Sequence, residues 1–293
     1  MPRWGAGAVC GAVLPAHDAA VFVSGKPPPP AGRFPLMLDR LGAKTPAAGT
    51  TLRPQRPIQQ ATRDATQQHR PSGLGLDSAA VRLRLVERIR ANGHCHDAVC
   101  AALQAVPRHH FVDSALATQA YEDTSLPIGL GQTISKPSVV ARMLSILHEG
   151  ASAQQRGNLG RVLEIGTGCG YQTALLGMLA TRVISLERLK ALHDKARDNL
   201  GPSRADHVRL VYGDGRVGHA PNSPYDSIIA AAGGDELPQA WLEQLADGGR
   251  LLAPMHSASG GGQALLVVDR QGEVLRRTHY EAVHFVPLKS GLG

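Results

Sequence analysis

The chain is short of aromatic residues, short of cysteine, and without a long apolar run. Aromatics are 4% of its 293 residues, too few for a platform that stacks single-stranded bases, and no nucleic-acid partner is expected. The four cysteines, Cys10, Cys95, Cys100 and Cys169, show no disulfide framework. That usage fits a reducing, cytoplasmic setting. No apolar stretch approaches the ~18 residues that a membrane helix needs, so no membrane partner is expected either. Residues 6–23 are mildly apolar, but His17 and Asp18 interrupt them, which makes a poor signal peptide. A standard metal pattern is missing too. His94, Cys95, His96 and Cys100 crowd into GHCHDAVC, yet their spacing matches no zinc motif, and helix capping accounts for them better. His109 and His110 read as loop residues ahead of Phe111 and Val112.

Charge and composition divide the chain. Net charge is +7, and residues 1–77 hold nine Lys or Arg against four Asp. That stretch includes four consecutive prolines, 27–30, and few large apolar residues. It buries too little surface to offset the entropy of ordering. A solvated extension, or a translation start placed upstream of the folded part, accounts for it; only 34–41 (FPLMLDRL) could form a turn of helix. Folded structure is expected over 78–293. It opens with a helix that Ser78 can cap, burying Val81, Leu85, Val86 and Ile89, and a second helix spans 96–106.

What is present is organised around residues 161–187, RVLEIGTGCGYQTALLGMLATRVISLE. It reads as a strand, a glycine turn, a helix and a second strand. In such a unit the ligand approaches the turn at the carboxyl ends of the strands, near the unpaired N–H groups of the helix. A dinucleotide fingerprint wants G-x-G-x-x-G. Here the glycines are Gly166, Gly168 and Gly170, and Tyr171 takes the third position. Glu164 precedes the turn, which opposes a pyrophosphate and suits a cation. Glu187 lies about twenty residues past the first glycine, the spacing for a carboxylate that accepts from ribose hydroxyls. S-adenosylmethionine, with its sulfonium and ammonium, fits this acidic, glycine-lined pocket; a nicotinamide enzyme is the alternative.

The flanks continue the pattern. Pro127, Gly129 and Gly131 are expected to forbid regular structure up to Gln132, and Pro137 opens a helix. Ser135, just before it, is either an N-cap or part of an active-site loop with Thr133. Downstream are a helix at 189–200, a strand at 208–212, and the turn Gly213-Asp214-Gly215, whose carboxylate can accept from an adenine amino group. A fourth strand at 226–231, a helix at 238–245, a turn at 247–249 and a fifth strand at 250–254 follow. Then 263–269, 274–279 and 282–287 alternate as a C-terminal antiparallel set. The fold class is α/β, a doubly wound sheet.

From residue 77 onward these blocks resemble the protein-L-isoaspartate (D-aspartate) O-methyltransferase family. LPIGLGQTIS followed by Pro137 is the most specific part. VLEIGTGCGYQTALL, GDGRVGHAPNSPYD, QLADGGRLLAP and FVPL are similar to the family's remaining blocks in order. The resemblance implies a class I S-adenosylmethionine-dependent methyltransferase, Rossmann-like, with helical N-terminal additions. It implies that Thr133, Ile134 and Ser135 sit by the cofactor and the acceptor carboxylate. It also implies that Glu164, Gly166, Thr167, Gly168, Gly170, Glu187, Asp214 and Gly215 bind the cofactor, with Gln263 near it. The chain departs from the family at 230–238 (AAAGGDELP) and at Met255-His256, where Val-Gly is usual.

The implied substrates are isoaspartyl-containing proteins and peptides, with repair through a succinimide. A carboxylate is ionised at neutral pH and needs no base to attack a sulfonium methyl. A methyltransferase acting on a small-molecule carboxylate is the runner-up. A nucleic-acid N-methyltransferase would carry a polar-Pro-Pro-aromatic motif after the fourth strand, which Ala230–Asp235 lacks. A monomer is expected.

Overall fold

The computed structural model describes residues 79–293, apart from 94, 202–204 and 257–261. The 1–77 extension, its segment 34–41 and the Ser78 cap lie outside the described residues. Helix α1 (Ala79–Asn92) buries Leu85, Val86 and Ile89. Helix α2 (Asp97–Ala105) is capped by His96, whose Nδ1 accepts from the Ala98 N–H at 3.3 Å. Two expectations change here. Cys95 and Cys100 are paired as a disulfide; α2 begins between them and brings residues five apart together. His109 is not a loop residue: it is buried in a 3-10 turn, Arg108–Phe111, with Nδ1 2.7 Å from the Tyr121 hydroxyl.

The Pro/Gly-rich stretch is also regular, contrary to expectation. Strands β1 (Leu126–Gly129) and β2 (Gln132–Ile134) form an antiparallel hairpin. Leu130 and Gly131 turn it, with φ of 52° and 67°. Two successive positive φ values are what a tight hairpin turn of the right twist requires. Pro127 is tolerated because this two-stranded sheet is all edge. Helix α3 (Pro137–His148) follows and buries Val140, Met143, Leu144 and Leu147. Helix α4 (Ala151–Arg156) ends at Gly157.

The sheet then begins: β3 (Arg161–Ile165), helix α5 (Tyr171–Leu179), β4 (Arg182–Glu187), helix α6 (Lys190–Leu200), β5 (Val208–Tyr212) and β6 (Tyr225–Ala230). A short helix α7 (Gln239–Glu243) leads to β7 (Leu245–His256), β8 (Gln263–Gln271) and β9 (Val274–Val283). The order is β5-β4-β3-β6-β7-β8-β9. From β5 to β7 neighbours are parallel, and β8 and β9 run antiparallel. The chain moves outward from β3 through β4 and β5, then returns to the other side of β3 at β6. That reversal leaves a crevice at the carboxyl ends of β3 and β6, where such sheets bind ligands.

Alternating residues face two cores. Val162, Val183 and Ile229 pack with α1, α2, α3 and α5, whereas Leu163, Ile184 and Ile228 pack with Trp241. Burial on both faces explains why these strands read as continuous apolar runs. Arg250 pins β7 to β8 through two bonds to Asp269, at 2.7 and 3.0 Å, and to α3 through the Ile146 carbonyl at 2.7 Å. The expected turn at 247–249 lies inside β7 as an irregularity between pairs Tyr225↔Leu245 and Ser227↔Arg250. The C-terminal set has two strands rather than three. Beyond Val283 the chain leaves the edge, and Pro287 makes a single bridge to Gly233.

Candidate functional site

A cavity of ≈ 220 Å³ opens at the carboxyl end of β3. Gly166, Gly168 and Gly170 have φ of 91°, 57° and 91°, conformations that side-chain-bearing residues adopt only with strain. The turn is tied to β4, since the Leu186 carbonyl accepts from Gly166 at 2.8 Å and from Thr167 at 3.1 Å. Glu187 ends β4 with both carboxylate oxygens in use. Oε2 accepts from the Gly168 N–H and Oε1 from the Leu189 N–H, each at 2.9 Å. The remaining lone pairs are available to hydroxyl donors in the cavity.

The structure brings most of the sequence-derived residues together. Thr133, Ile134 and Ser135 line one side of the cavity. Gly166, Thr167, Gly168, Glu187 and Gly215 line another. A Cβ at Gly215 would collide with the Ile165 side chain, so glycine lets this turn pack closely on β3. The indole N–H of Trp241 holds the Gly215 carbonyl at 2.8 Å. Ser135 is not the cap of α3. That position is Lys136, and the Ser138 N–H and hydroxyl bond instead to Asp123, at 2.8 and 2.7 Å. Among the described residues, the Ser135 hydroxyl has no hydrogen-bond partner.

Four of the expected residues are not among those that line the cavity. Glu164 faces α5 beneath the turn, because it shares the Val162 side of β3. It is fully buried and accepts from Thr173 at 2.5 Å, Ser185 at 2.6 Å and Gln172 at 3.0 Å. Burial pushes its pKa up to about 7 against those hydrogen bonds. It reaches the wall through Gln172, which lines the cavity, and through Ser185, whose hydroxyl is 2.6 Å from that of Thr167. Gly170 is the N-cap of α5 and lies behind the wall, packed toward Ala196 and Leu200. Asp214 is off the wall as well, accepting from the Arg216 N–H at 2.8 Å and the Gly291 N–H at 2.6 Å. Gln263 is tied to the backbone, its Oε1 accepting from Phe285 at 2.7 Å.

Ala231 and Ala232, in the 230–238 segment expected near the pocket, stand on the wall, and so does the 286–289 segment, which sequence reasoning did not place there. Topology brings that segment there, and no local signal announces it. Cys169 also lines the cavity, but burial raises its thiol pKa, which argues against a thiolate nucleophile.

The donor set fits S-adenosylmethionine: an oriented carboxylate on β4, two walls without side chains at Gly166 and Gly168, and apolar Leu189 and Leu192 beside them. The fold and this site define a class I S-adenosylmethionine-dependent methyltransferase. The family model described as "Protein-L-isoaspartate(D-aspartate) O-methyltransferase (PCMT)" matches residues 81–293. The chain belongs to that family. It is 58% identical over 265 residues to a protein-L-isoaspartate O-methyltransferase of Methylibium petroleiphilum, covering 89% of this chain and 97% of the relative. One from Leptothrix cholodnii is 57% identical over 278 residues, covering 90% and 96%. A solved protein-L-isoaspartate O-methyltransferase superposes with TM-score 0.64 at 27% identity, covering 72% of this chain and 67% of that one. A Plasmodium falciparum structure in complex with S-adenosyl-L-homocysteine, at 23% identity and TM-score 0.59, covers 71% and 98% and shares the fold. The activity is methyl transfer from S-adenosylmethionine to isoaspartyl residues of proteins.

Proposed function

We propose that Ser135 orients the free carboxylate of an isoaspartyl residue while Glu187 and the glycine turn hold the methyl donor. The observation that carries this reading is Ser135, which lines the cavity and whose hydroxyl has no hydrogen-bond partner among the described residues. When bound, S-adenosylmethionine supplies a methyl group made electrophilic by its sulfonium. Glu187, already oriented by two backbone N–H groups, would accept from the ribose hydroxyls. Gly166 and Gly168 admit the amino-acid portion against the backbone. Thr133, Ile134 and Ser135 form the acceptor side.

The acceptor is ionised at neutral pH and needs no general base. The residues therefore act by placing the carboxylate in line and excluding water, which is catalysis by proximity and orientation. An isoaspartyl residue carries its free carboxylate on the α-carbon, whereas normal aspartate displays it one carbon further from the main chain. A site that fixes both backbone and donor separates the two by geometry. The methyl ester is then open to attack by the neighbouring backbone amide nitrogen, which expels methanol and closes the succinimide; addition of water reopens that ring partly to normal aspartate.

The reading extends to a monomeric, cytoplasmic enzyme with no nucleic-acid or membrane partner, made of an extension over 1–77 and a catalytic domain over 78–293. A family match that starts at residue 81 supports that boundary. The excess of positive charge in 1–77, where nine Lys or Arg stand against four Asp, leaves the rest of the chain close to balanced and supports a catalytic part without a nucleic-acid face. Among the described residues no helix is long and apolar enough to cross a membrane. The test is incubation with labelled donor and paired isoaspartyl and aspartyl peptides. Label on the isoaspartyl peptide alone is expected; equal labelling of both would refute the geometric selection.

A further inference from the structure

We propose that Arg108 is a positioning residue, joining the Ser135 loop to the first residue of α5 and so setting the acceptor hydroxyl against the glycine turn. The proposal rests on the reading of Ser135 as the acceptor group. Arg108 is 1% exposed and stands behind the cavity wall. Its Nη2 donates to the Ser135 carbonyl at 2.8 Å and, at 3.4 Å, to the Thr124 carbonyl. Those carbonyls lie on either side of the β1–β2 hairpin. The guanidinium carbon is 5.0 Å from the centroid of the Tyr171 ring, and Tyr171 both opens α5 and lines the cavity. One planar cation thus contacts both ends of the acceptor loop and the helix that carries the glycine turn. A second tie comes from α6, where Lys195 Nζ donates to the Ile128 carbonyl at 2.8 Å.

The rest of Arg108 is poorly satisfied. Its Nε and Nη1 have no hydrogen-bond partner among the described residues. Burial lowers its pKa, with Tyr171, Cys169 and Asp123 opposing the shift. A buried charge with unpaired donors opposes folding, and an apolar side chain of similar size would not. What that apolar residue could not supply is the link from the Ser135 carbonyl to the Tyr171 face. Lysine would supply it less well, since its ammonium is a point charge and not a planar fork that stacks on the ring while donating to both carbonyls from its edge. A misplacement of about 1 Å at a reacting group can cost ~100-fold in rate, so the link has kinetic consequences.

A double-variant cycle on the full chain tests this, with Arg108→Lys, Ser135→Ala and the pair. Turnover on isoaspartyl peptide and calorimetric affinity for S-adenosylhomocysteine are measured for each. Arg108→Lys is expected to lower turnover by about tenfold or more while leaving that affinity within about threefold. In the Ser135→Ala background it is expected to remove less than about twofold more. Losses that multiply in the pair would overturn the proposal, and so would an affinity that falls in step with turnover. Full turnover by Ser135→Ala alone would refute the acceptor reading instead, and that single variant shows it directly. Should Arg108→Lys not fold, Arg108→Met takes its place in the cycle. If neither folds, the side chain is a determinant of the fold and the positioning role is wrong.

Discussion

Glu187 is fixed by the amide of Gly168: Oε2 accepts its N–H at 2.9 Å, while Oε1 accepts that of Leu189. The residue at the end of β4 therefore presents its carboxylate to the cavity in one orientation. Glu187→Gln replaces an acceptor oxygen with a donor and removes the charge. Hydrogen bonds to charged groups contribute ~1.5–3 kcal/mol, so S-adenosylmethionine binding is expected to weaken about 10- to 100-fold. Calorimetry on the folded variant checks this, and unchanged affinity would remove Glu187 from the cofactor site.

Capping of α3 separates Asp123 from Ser135. Asp123 bonds both the N–H and the hydroxyl of Ser138, and Ser135 bonds neither. Asp123→Ala is expected to cost about 1 kcal/mol of stability, the usual loss of an N-terminal cap. Ser135→Ala is expected to leave the melting temperature unchanged within error. The reverse ranking in thermal melts would restore Ser135 as a structural cap.

Two buried groups give stability opposite pH dependences. Burial outweighs the hydrogen bonds of Glu164 and pushes its pKa up from the ordinary 4.5 to about 7 in the fold. Between those values the fold holds a proton that the unfolded chain has released. Its contribution is complete below pH 4.5 and lost as pH rises through about 7. At ~1.4 kcal/mol per unit this is about 3 kcal/mol. His148 is lowered from 6.5 to about 4 by burial and then by His96, whose ring stacks on it at 4.2 Å. Its contribution is complete above pH 6.5 and lost as pH falls through about 4. Urea midpoints across that range are expected to show Glu164→Gln flattening the loss toward high pH and His148→Gln flattening the loss toward low pH. Curves parallel to wild type for both variants would contradict these assignments.

Much of the sheet was legible because parallel strands buried on both faces are continuous apolar runs between glycine punctuation. Strand β5 was read at its observed bounds, and the glycine turn was found where it stands. The acceptor hairpin was hidden, because Leu130 adopts a left-handed conformation that its residue type gives no reason to expect. Glu164 was assigned to the cofactor by its place before the turn. Its actual direction follows from alternation along β3, which turns it toward Thr173 and Ser185. Asp123, fifteen residues before Ser138, could be matched to its helix only in three dimensions. The same holds for the 286–289 segment on the cavity wall.

Turnover by Ser135→Ala tests the central claim most directly. Ser135 lines the cavity and its carbonyl is held by Arg108 at 2.8 Å. The variant is expected to bind S-adenosylmethionine within about threefold of wild type while methylating isoaspartyl peptide roughly 100-fold more slowly, since orientation alone is lost. Wild-type turnover in a folded, cofactor-binding Ser135→Ala protein would contradict the account.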